Sequence, residues 1–311
     1  MTAPDQQADP GQDPAGTGAQ ASHPGQDSPP TCYRHPGRET WVSCVRCGRH
    51  ACPDCLRQAA VGQQCVECVR GSGQASRQPR TVFGGRPSRS ATVTWTLIAV
   101  NVVIFLVEVA RPSLLYNLGM LGVTAYTPAG LQAGVAGGQW YRLITSAFTA
   151  PGTSFGGLGL LDLALNMWAL FIVGPELERL LGKVRYLGIY LLSAVGGSIM
   201  YYYLAPLGLA AGASGAIFGL FGAWFVVSRR LRLDSRGIVL LIVLNLAFSV
   251  IYRSTIAWQD HIGGLITGAL LTAAYAYAPR RNRVAYQVAA TVLLVVLMVI
   301  AVLIKNGQLH Q

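Results

Sequence analysis

From Ala91 to the C-terminus, apolar stretches of bilayer-spanning length alternate with short polar breaks. A helix rising about 1.5 Å per residue needs about 20 apolar residues to cross a ~30 Å hydrocarbon core, and seven stretches approach that length. They predict membrane helices over residues 92–110, 159–174, 186–205, 214–228, 237–252, 260–278 and 285–304. The second and fourth are short, and the fourth is dense in Gly and Ala, which suits a helix packed inside a bundle. Before Ala91 this pattern disappears. Residues 1–31, rich in Gly, Pro, Gln, Asp, Ala and Ser and without Lys or Arg, have little apolar surface to bury and are predicted to be disordered. They hold no basic segment followed by an apolar stretch, so no signal peptide is expected. Residues 32–69 form a Cys-rich block, and residues 70–90, which carry Arg70, Arg77, Arg80, Arg86 and Arg89, read as a basic flexible linker. A membrane domain over 91–280 and a last helix with a short tail over 281–311 complete the expected layout.

Composition sharpens this. Of the 311 residues, 52% are hydrophobic and only 12% charged, against about 25% charged in soluble domains, so much of the apolar surface must face lipid. The fold class is all-α and polytopic, preceded by a small metal-stabilised domain. The net charge of +11 could point to nucleic acid, but its distribution points elsewhere. With the N-terminus placed in the cytoplasm, 20 of the 24 Lys and Arg fall on inner segments and four, Arg111, Arg142, Arg253 and Lys305, on outer ones. That asymmetry fixes the expected orientation, with the C-terminus outside, and accounts for the charge without a nucleic-acid partner.

In this topology the fourth span begins at the outer face with Gly212-Ala213-Ser214-Gly215, and the sixth begins at the same face with Asp260-His261-Ile262-Gly263-Gly264. Ser214 and His261 therefore share a depth. An ionisable side chain inside a span is by default a functional candidate, and a Ser hydroxyl becomes a nucleophile when a neutral imidazole takes its proton. Gly215, Gly219 and Gly222 on one helix and Gly264 and Gly268 on the other form small-residue faces that permit close backbone approach. A lone Ser or Gly in a membrane helix is usually a packing residue, so the weight lies in the combination.

That combination resembles the rhomboid family of intramembrane serine proteases over roughly residues 92–280. Its parts occur in family order: Trp140-Tyr141-Arg142 in a long first loop, Asn166-Met167 in the second span with Gly174-Pro175-Glu176-Leu177-Glu178 after it, Gly-x-Ser-Gly in the fourth and His-x-Gly-Gly in the sixth. The resemblance implies a six-helix core plus a seventh C-terminal helix, a water-filled cavity open to the outside, Ser214 as nucleophile, His261 as general base and no acidic third member or catalytic cofactor. It also implies that Asn166 and the Ser214 backbone N–H line the oxyanion site with Gly212 and Gly215 nearby, and that Phe218 packs on the imidazole. Substrates would be transmembrane proteins within the lipid bilayer, cut near the outer face. An Ala-, Gly- and Arg-rich composition suggests a bacterial plasma membrane.

One position departs from the family pattern. Where many rhomboids carry a His four residues before the span-two Asn, this chain has Asp162. Either Asp162 caps the N-terminus of span two, where its charge suits the helix dipole, or a carboxylate beside a developing oxyanion weakens catalysis. The second account leads to an alternative, a weak or inactive rhomboid-like protein that binds membrane clients and uses the Cys-rich block as an adaptor. A transporter using Asp260 and His261 as a proton relay is a third reading, although the two halves show no internal repeat.

The Cys-rich block contains all seven cysteines and reads Cys32-x2-His35, Cys44-x2-Cys47, Cys52-x2-Cys55 and Cys65-x2-Cys68. Four such pairs supply ligands for two tetrahedral Zn²⁺ ions with no open position, hence structural rather than catalytic. In a reducing cytoplasm metal binding is favoured over disulfides, and zinc supplies folding energy that so small a block lacks. The block resembles a B-box-type module, which implies interleaved ligation: Cys32, His35, Cys52 and Cys55 on one ion, Cys44, Cys47, Cys65 and Cys68 on the other. Sequential pairing remains open, as does substitution by His50. A cytoplasmic protein partner is the expected role.

Overall fold

The computed structural model describes residues 29–75, 81–85, 90–123, 126–127, 130–131, 133–150 and 158–310, so residues 1–28 of the expected disordered tail lie outside the described residues. Two compact units divide the chain, Met1–Arg77 and Gln78–Gln311.

The first unit is made of two small hairpins and a helix. Strands β1 (Thr31–Cys32) and β2 (His35–Glu39) pair antiparallel, as do β3 (Leu56–Gln58) and β4 (Gln63–Cys65), and α1 (Val66–Ala75) follows directly. Its core consists of Cys32, Cys44, Ala51, Cys52, Cys55, Leu56 and Cys65. A core built mainly of thiols cannot supply enough apolar burial to hold so few residues, so the cysteines must contribute in another way.

The second unit is a helical bundle. After α2 (Thr92–Ala110) come a short α3 (Ser113–Leu118), the strand β5 (Met120–Leu121), the pair β6 (Tyr126–Thr127) and β7 (Gly130–Leu131), and α4 (Arg142–Thr145). There follow α5 (Leu158–Leu181), α6 (Lys183–Leu204), β8 (Leu209–Ala210), α7 (Ser214–Leu231), α8 (Arg236–Ile251), α9 (Trp258–Ala276) and α10 (Arg283–Leu309). All seven expected spans are helices. Among the described residues four helices, Thr92–Ala110, Gly159–Leu181, Lys183–Leu204 and Arg283–Leu309, are long and apolar enough to cross a membrane. In α7 and α9 the glycines that allow packing also dilute the apolar signal.

The core lies where α6, α7 and α9 meet, filled by Tyr186, Ile189, Tyr190, Leu220, Phe221 and Leu271. Glycine sets the separation there. A Cβ at Gly264 would collide with the Gly215 carbonyl oxygen, and one at Gly268 with that of Gly219. In lipid, where tails are as apolar as Leu, such dispersion-dominated contact is a principal source of helix association.

Polar groups inside the bundle are spent on holding helix ends. The N-cap of α2, Ala91, has no side chain to receive the orphan amides of the first turn. Glu178, fully buried near the end of α5, takes that role from outside, accepting the Val93 and Thr94 N–H groups at 3.2 and 2.9 Å and the Thr94 hydroxyl at 3.0 Å. This explains why α5 runs on through Pro175 to Leu181, past the limit at 174 that the apolar run suggested. Gly182, at φ +83°, then lets the chain reverse into α6.

The interval expected as a flexible linker is partly structured. Helix α1 reaches Ala75, and Thr81–Gly85 forms a tight turn closed by a 2.8 Å bond from the Thr81 N–H to the Gly85 carbonyl. Phe83 at its tip is buried in the bundle core, and Gln287 and Arg283 of α10 donate to the Phe83 and Val82 carbonyls at 3.0 and 2.9 Å. One Phe among Gly and Arg gives no periodic signal, and its partners lie at the other end of the chain.

Because Gly268 faces backbone, Gly268→Ala is expected to cost about 1–3 kcal/mol, read as a lowered thermal unfolding midpoint in detergent. A Cβ at Gly237 meets open space, so Gly237→Ala should leave the midpoint unchanged or slightly raised.

Candidate active site and metal-binding clusters

The chain enters the membrane site through β8, which pairs with β5 in the register Met120↔Ala210 and Leu121↔Leu209. This ties the long first loop to the segment leading into α7. Arg142, buried, braces that loop by donating to the Tyr116 and Gly119 carbonyls at 2.7 and 2.8 Å and to Gln139 Oε1 at 2.6 Å. Its place is thus in the scaffold of the loop. The Gly212 N–H is held by the Ser146 carbonyl at 3.0 Å. Gly212 itself has φ +132°, a conformation that L side chains avoid, and a Cβ there would point at Asp162 Oδ2 and Ser214 Oγ, 3.4 and 3.7 Å away. Glycine therefore serves twice, turning the chain and keeping the space over Ser214 open.

Ser214 is the first residue of α7, and His261 lies in the first turn of α9. His261 Nε2 and Ser214 Oγ are 2.8 Å apart. The imidazole is buried and stacks on Phe218, one turn along α7, with ring centroids 4.2 Å apart and planes 10° from parallel. The Asp260 carboxylate lies close against the backbones of α6 and α7, where a Cβ at either Gly197 or Gly215 would collide with it. Asp260 thus fills a notch between α6 and α7, beside the Ser214–His261 pair. The N-terminus of α7 brings unpaired N–H groups and the positive end of a helix dipole to Ser214.

Asn166 is buried on α5. Asp162 precedes it by one turn, and its carboxylate interacts with the Asn166 side chain. The expectation that Asp162 caps the helix is corrected here: α5 begins at Leu158, so Asp162 lies in the second turn, where its side chain shares a face with Asn166 and approaches Gly212. The helix starts within one residue of the expected 159, so it is the distance from that start to Asp162 that rules out the capping role.

Ser249, on α8, was not anticipated. Its Oγ stands 2.8 Å from His261 Nδ1. The only signal for it was a hydroxyl in an otherwise apolar run, and such residues are common in membrane helices.

In the first unit the two interleaved ligand sets come together. The donor atoms of Cys32, His35, Cys52 and Cys55, and those of Cys44, Cys47, Cys65 and Cys68, each lie within 4.8 Å of one another. His35 Nδ1 is 3.7, 3.3 and 3.4 Å from the sulfurs of Cys32, Cys52 and Cys55, and the Cys47 and Cys65 sulfurs are 3.8 Å apart. A tetrahedral ion with metal–sulfur bonds of about 2.3 Å and metal–nitrogen bonds of about 2.0–2.1 Å has edges of about 3.5–3.8 Å, so the donor sets fit such an ion. His50 stands outside both sets, in a bridge with Ser43.

Electrostatics agree with that fit. Arg49 donates to the Cys47 sulfur at 3.4 Å, pairs with Glu67 at 2.7 Å and lies over the Tyr33 ring, so a cation compensates thiolate charge beside the second set. Without a metal, backbone N–H groups led by that of Cys65 bring the Cys44 thiol down to about 6, while the Cys65 side chain and burial push Cys68 up to about 12. A divalent cation would draw all four sulfurs of that set into the thiolate form.

The chain resembles known proteins in the same terms. A model described as the rhomboid domain matches residues 137–278. The putative rhomboid protease YdcA of Bacillus subtilis (strain 168) is 39% identical over 151 residues, spanning 47% of this chain and 72% of that protein. Rhomboid protease GluP of the same organism is 37% identical over 170 residues, covering 53% of this chain and 32% of its own length. Rhomboid protease AarA of Providencia stuartii is 28% identical over 227 residues, with coverage of 62% and 75%. The chain belongs to the rhomboid family, and with its long apolar helices it is an integral membrane protein of an intramembrane protease family.

Purified protein is expected to carry two tetrahedral metal ions per chain by elemental analysis. Cys52→Ser and Cys65→Ser should each lower the content towards one, and His50→Ala should leave it at two.

Proposed function

We propose that this protein is an intramembrane serine endopeptidase in which Ser214 is the nucleophile and His261 the general base. The observation that carries the reading is the 2.8 Å contact between Ser214 Oγ and His261 Nε2 beneath the stacked Phe218 ring. His261 Nε2 takes the hydroxyl proton as Ser214 Oγ attacks the scissile carbonyl, and the tetrahedral intermediate collapses as the protonated imidazole returns that proton to the leaving amine. Water then attacks the acyl-enzyme with His261 again as base. The developing oxyanion is met by the Ser214 backbone N–H at the head of α7 and by the Asn166 amide, donors worth a few kcal/mol in a water-poor site. Stacking on Phe218 limits the imidazole to one plane, which keeps Nε2 aimed at Ser214.

Substrates on this reading are transmembrane proteins cut near the outer membrane face, at segments whose helix opens readily, because a closed helix hides its carbonyls. Support for the orientation comes from the positive-inside distribution: Ser214 opens α7, while Arg229 and Arg230 close it. The N-terminus and the Cys-rich unit are then cytoplasmic, the C-terminus outside and the membrane a bacterial plasma membrane. In that unit the ions are Zn²⁺, held by closed Cys₃His and Cys₄ sets that stabilise the fold without taking part in catalysis, and its surface serves a cytoplasmic protein partner.

Asp162 favours a second reading. Its carboxylate interacts with Asn166, the side chain assigned to the oxyanion, and a charge there would oppose the transition state. The protein would then bind membrane clients with little cleavage, the metal unit acting as adaptor.

Cleavage of a membrane-spanning reporter by protein in lipid vesicles separates the two. The protease reading expects cleavage by wild type and at least a 100-fold loss in both Ser214→Ala and His261→Ala; a folded, metal-loaded wild type that cleaves none of several reporters and resists labelling by a fluorophosphonate would support client binding instead. Asp162→His should hold or raise the cleavage rate, and a large loss would give the native carboxylate a positive role.

A further inference from the structure

Helix α8 is apolar along almost its whole length and turns most of its side chains outwards. Of its residues, only Ser249 is fully buried. A hydroxyl is a costly way to fill apolar space unless it has partners, and Ser249 has two. Its Oγ lies 2.6 Å from the Asn245 carbonyl, one turn back, and 2.8 Å from His261 Nδ1.

These contacts fix where the protons are. A hydroxyl carries one proton and a carbonyl none, so the Asn245 contact uses the Ser249 proton. The Nδ1 contact is then a hydrogen bond only if Nδ1 carries hydrogen and the Ser249 oxygen accepts it. A neutral imidazole has a single N–H, so Nε2 is left bare, and the bond to Ser214 must be donated by the Ser214 hydroxyl. The relay runs one way, from Ser214 O–H to Nε2, from Nδ1–H to Ser249 Oγ, and from Ser249 O–H to the Asn245 carbonyl. Its direction is set at the far end by a main-chain acceptor. With the other tautomer, lone pairs would face each other at Ser249, and Nε2–H would face the nucleophile, where it could not take a proton.

We propose that Ser249 is a positioning residue of the active site, holding His261 in the Nδ1–H tautomer so that Nε2 is free to take the Ser214 proton. The proposal rests on the Ser214–His261 reading above. In serine proteases with a triad this task falls to a carboxylate. Here a neutral hydroxyl does it, with no anion to be buried in the membrane.

The test uses the full-length protein in lipid. Ser249→Ala is expected to lower kcat for a reporter about ten-fold, roughly the worth of one hydrogen bond, with KM and the thermal midpoint unchanged. Ser249→Thr, which keeps the hydroxyl, should recover most of that loss. A direct reading comes from ¹⁵N NMR of histidine-labelled protein, with the His261 signals assigned by their disappearance in His261→Gln. In the Ser214→Ala background His261 should be protonated on Nδ1, and adding Ser249→Ala should shift it towards Nε2–H. A wild-type kcat and an unchanged tautomer in Ser249→Ala would overturn the proposal. So would a loss of activity that follows a lowered thermal midpoint with the tautomer intact, which would make Ser249 a packing residue. The NMR arm involves no turnover, so a wild type that cleaves nothing counts against the protease reading while the tautomer still decides the role of Ser249.

Discussion

The backbones of α7 and α9 touch, and most of the site depends on that contact. Gly215 against Gly264 and Gly219 against Gly268 remove the side chains that would hold the two helices apart. Only at that separation can a side chain as short as Ser reach an imidazole on a neighbouring helix. The same closeness leaves a notch, free of any Cβ at Gly197 and Gly215, into which the Asp260 carboxylate fits. One constraint thus governs packing, hydrogen bonding and the approach of the two reactive groups. It also explains why the bundle tolerates helices with modest apolar content at its centre: the elements with the longest apolar runs stand outside them and face the lipid.

Around this contact the fold spends its buried polar groups on fixing ends of segments. Glu178 caps a helix from another helix, Arg142 gathers carbonyls of the first loop, and the Ser146 carbonyl holds Gly212, two residues before Ser214. These are backbone groups that neither lipid nor water would satisfy, so each bond removes a cost of several kcal/mol that an orphan donor or acceptor would carry in hydrocarbon. The result is a rigid frame for Ser214, built from segments far apart in sequence.

Much of this could be read from the chain, and the reasons are specific. Apolar run length marked seven helices, of which four among the described residues are long and apolar enough to cross a membrane, and the spacing of the Cys and His pairs marked eight ligands, enough for two tetrahedral sites. Ser214, His261 and the glycines were legible together, since each needs the others to make chemical sense. Asp162 was visible as a departure, but its approach to Gly212 depends on how α5 packs beside the segment leading into α7, which no local pattern encodes. Phe83 and Ser249 were hidden for a different reason. Each is one residue whose meaning comes entirely from a partner on a distant helix, and no local pattern encodes such a pairing.

Helix α8 carries a further consequence. Its 16 residues make a rod of about 24 Å, shorter than a ~30 Å hydrocarbon core, so the surrounding lipid must thin, or the helix must shift, to match it. On the reading proposed for Ser249, whose hydroxyl sits on that rod, bilayer thickness becomes an input to the protonation of His261.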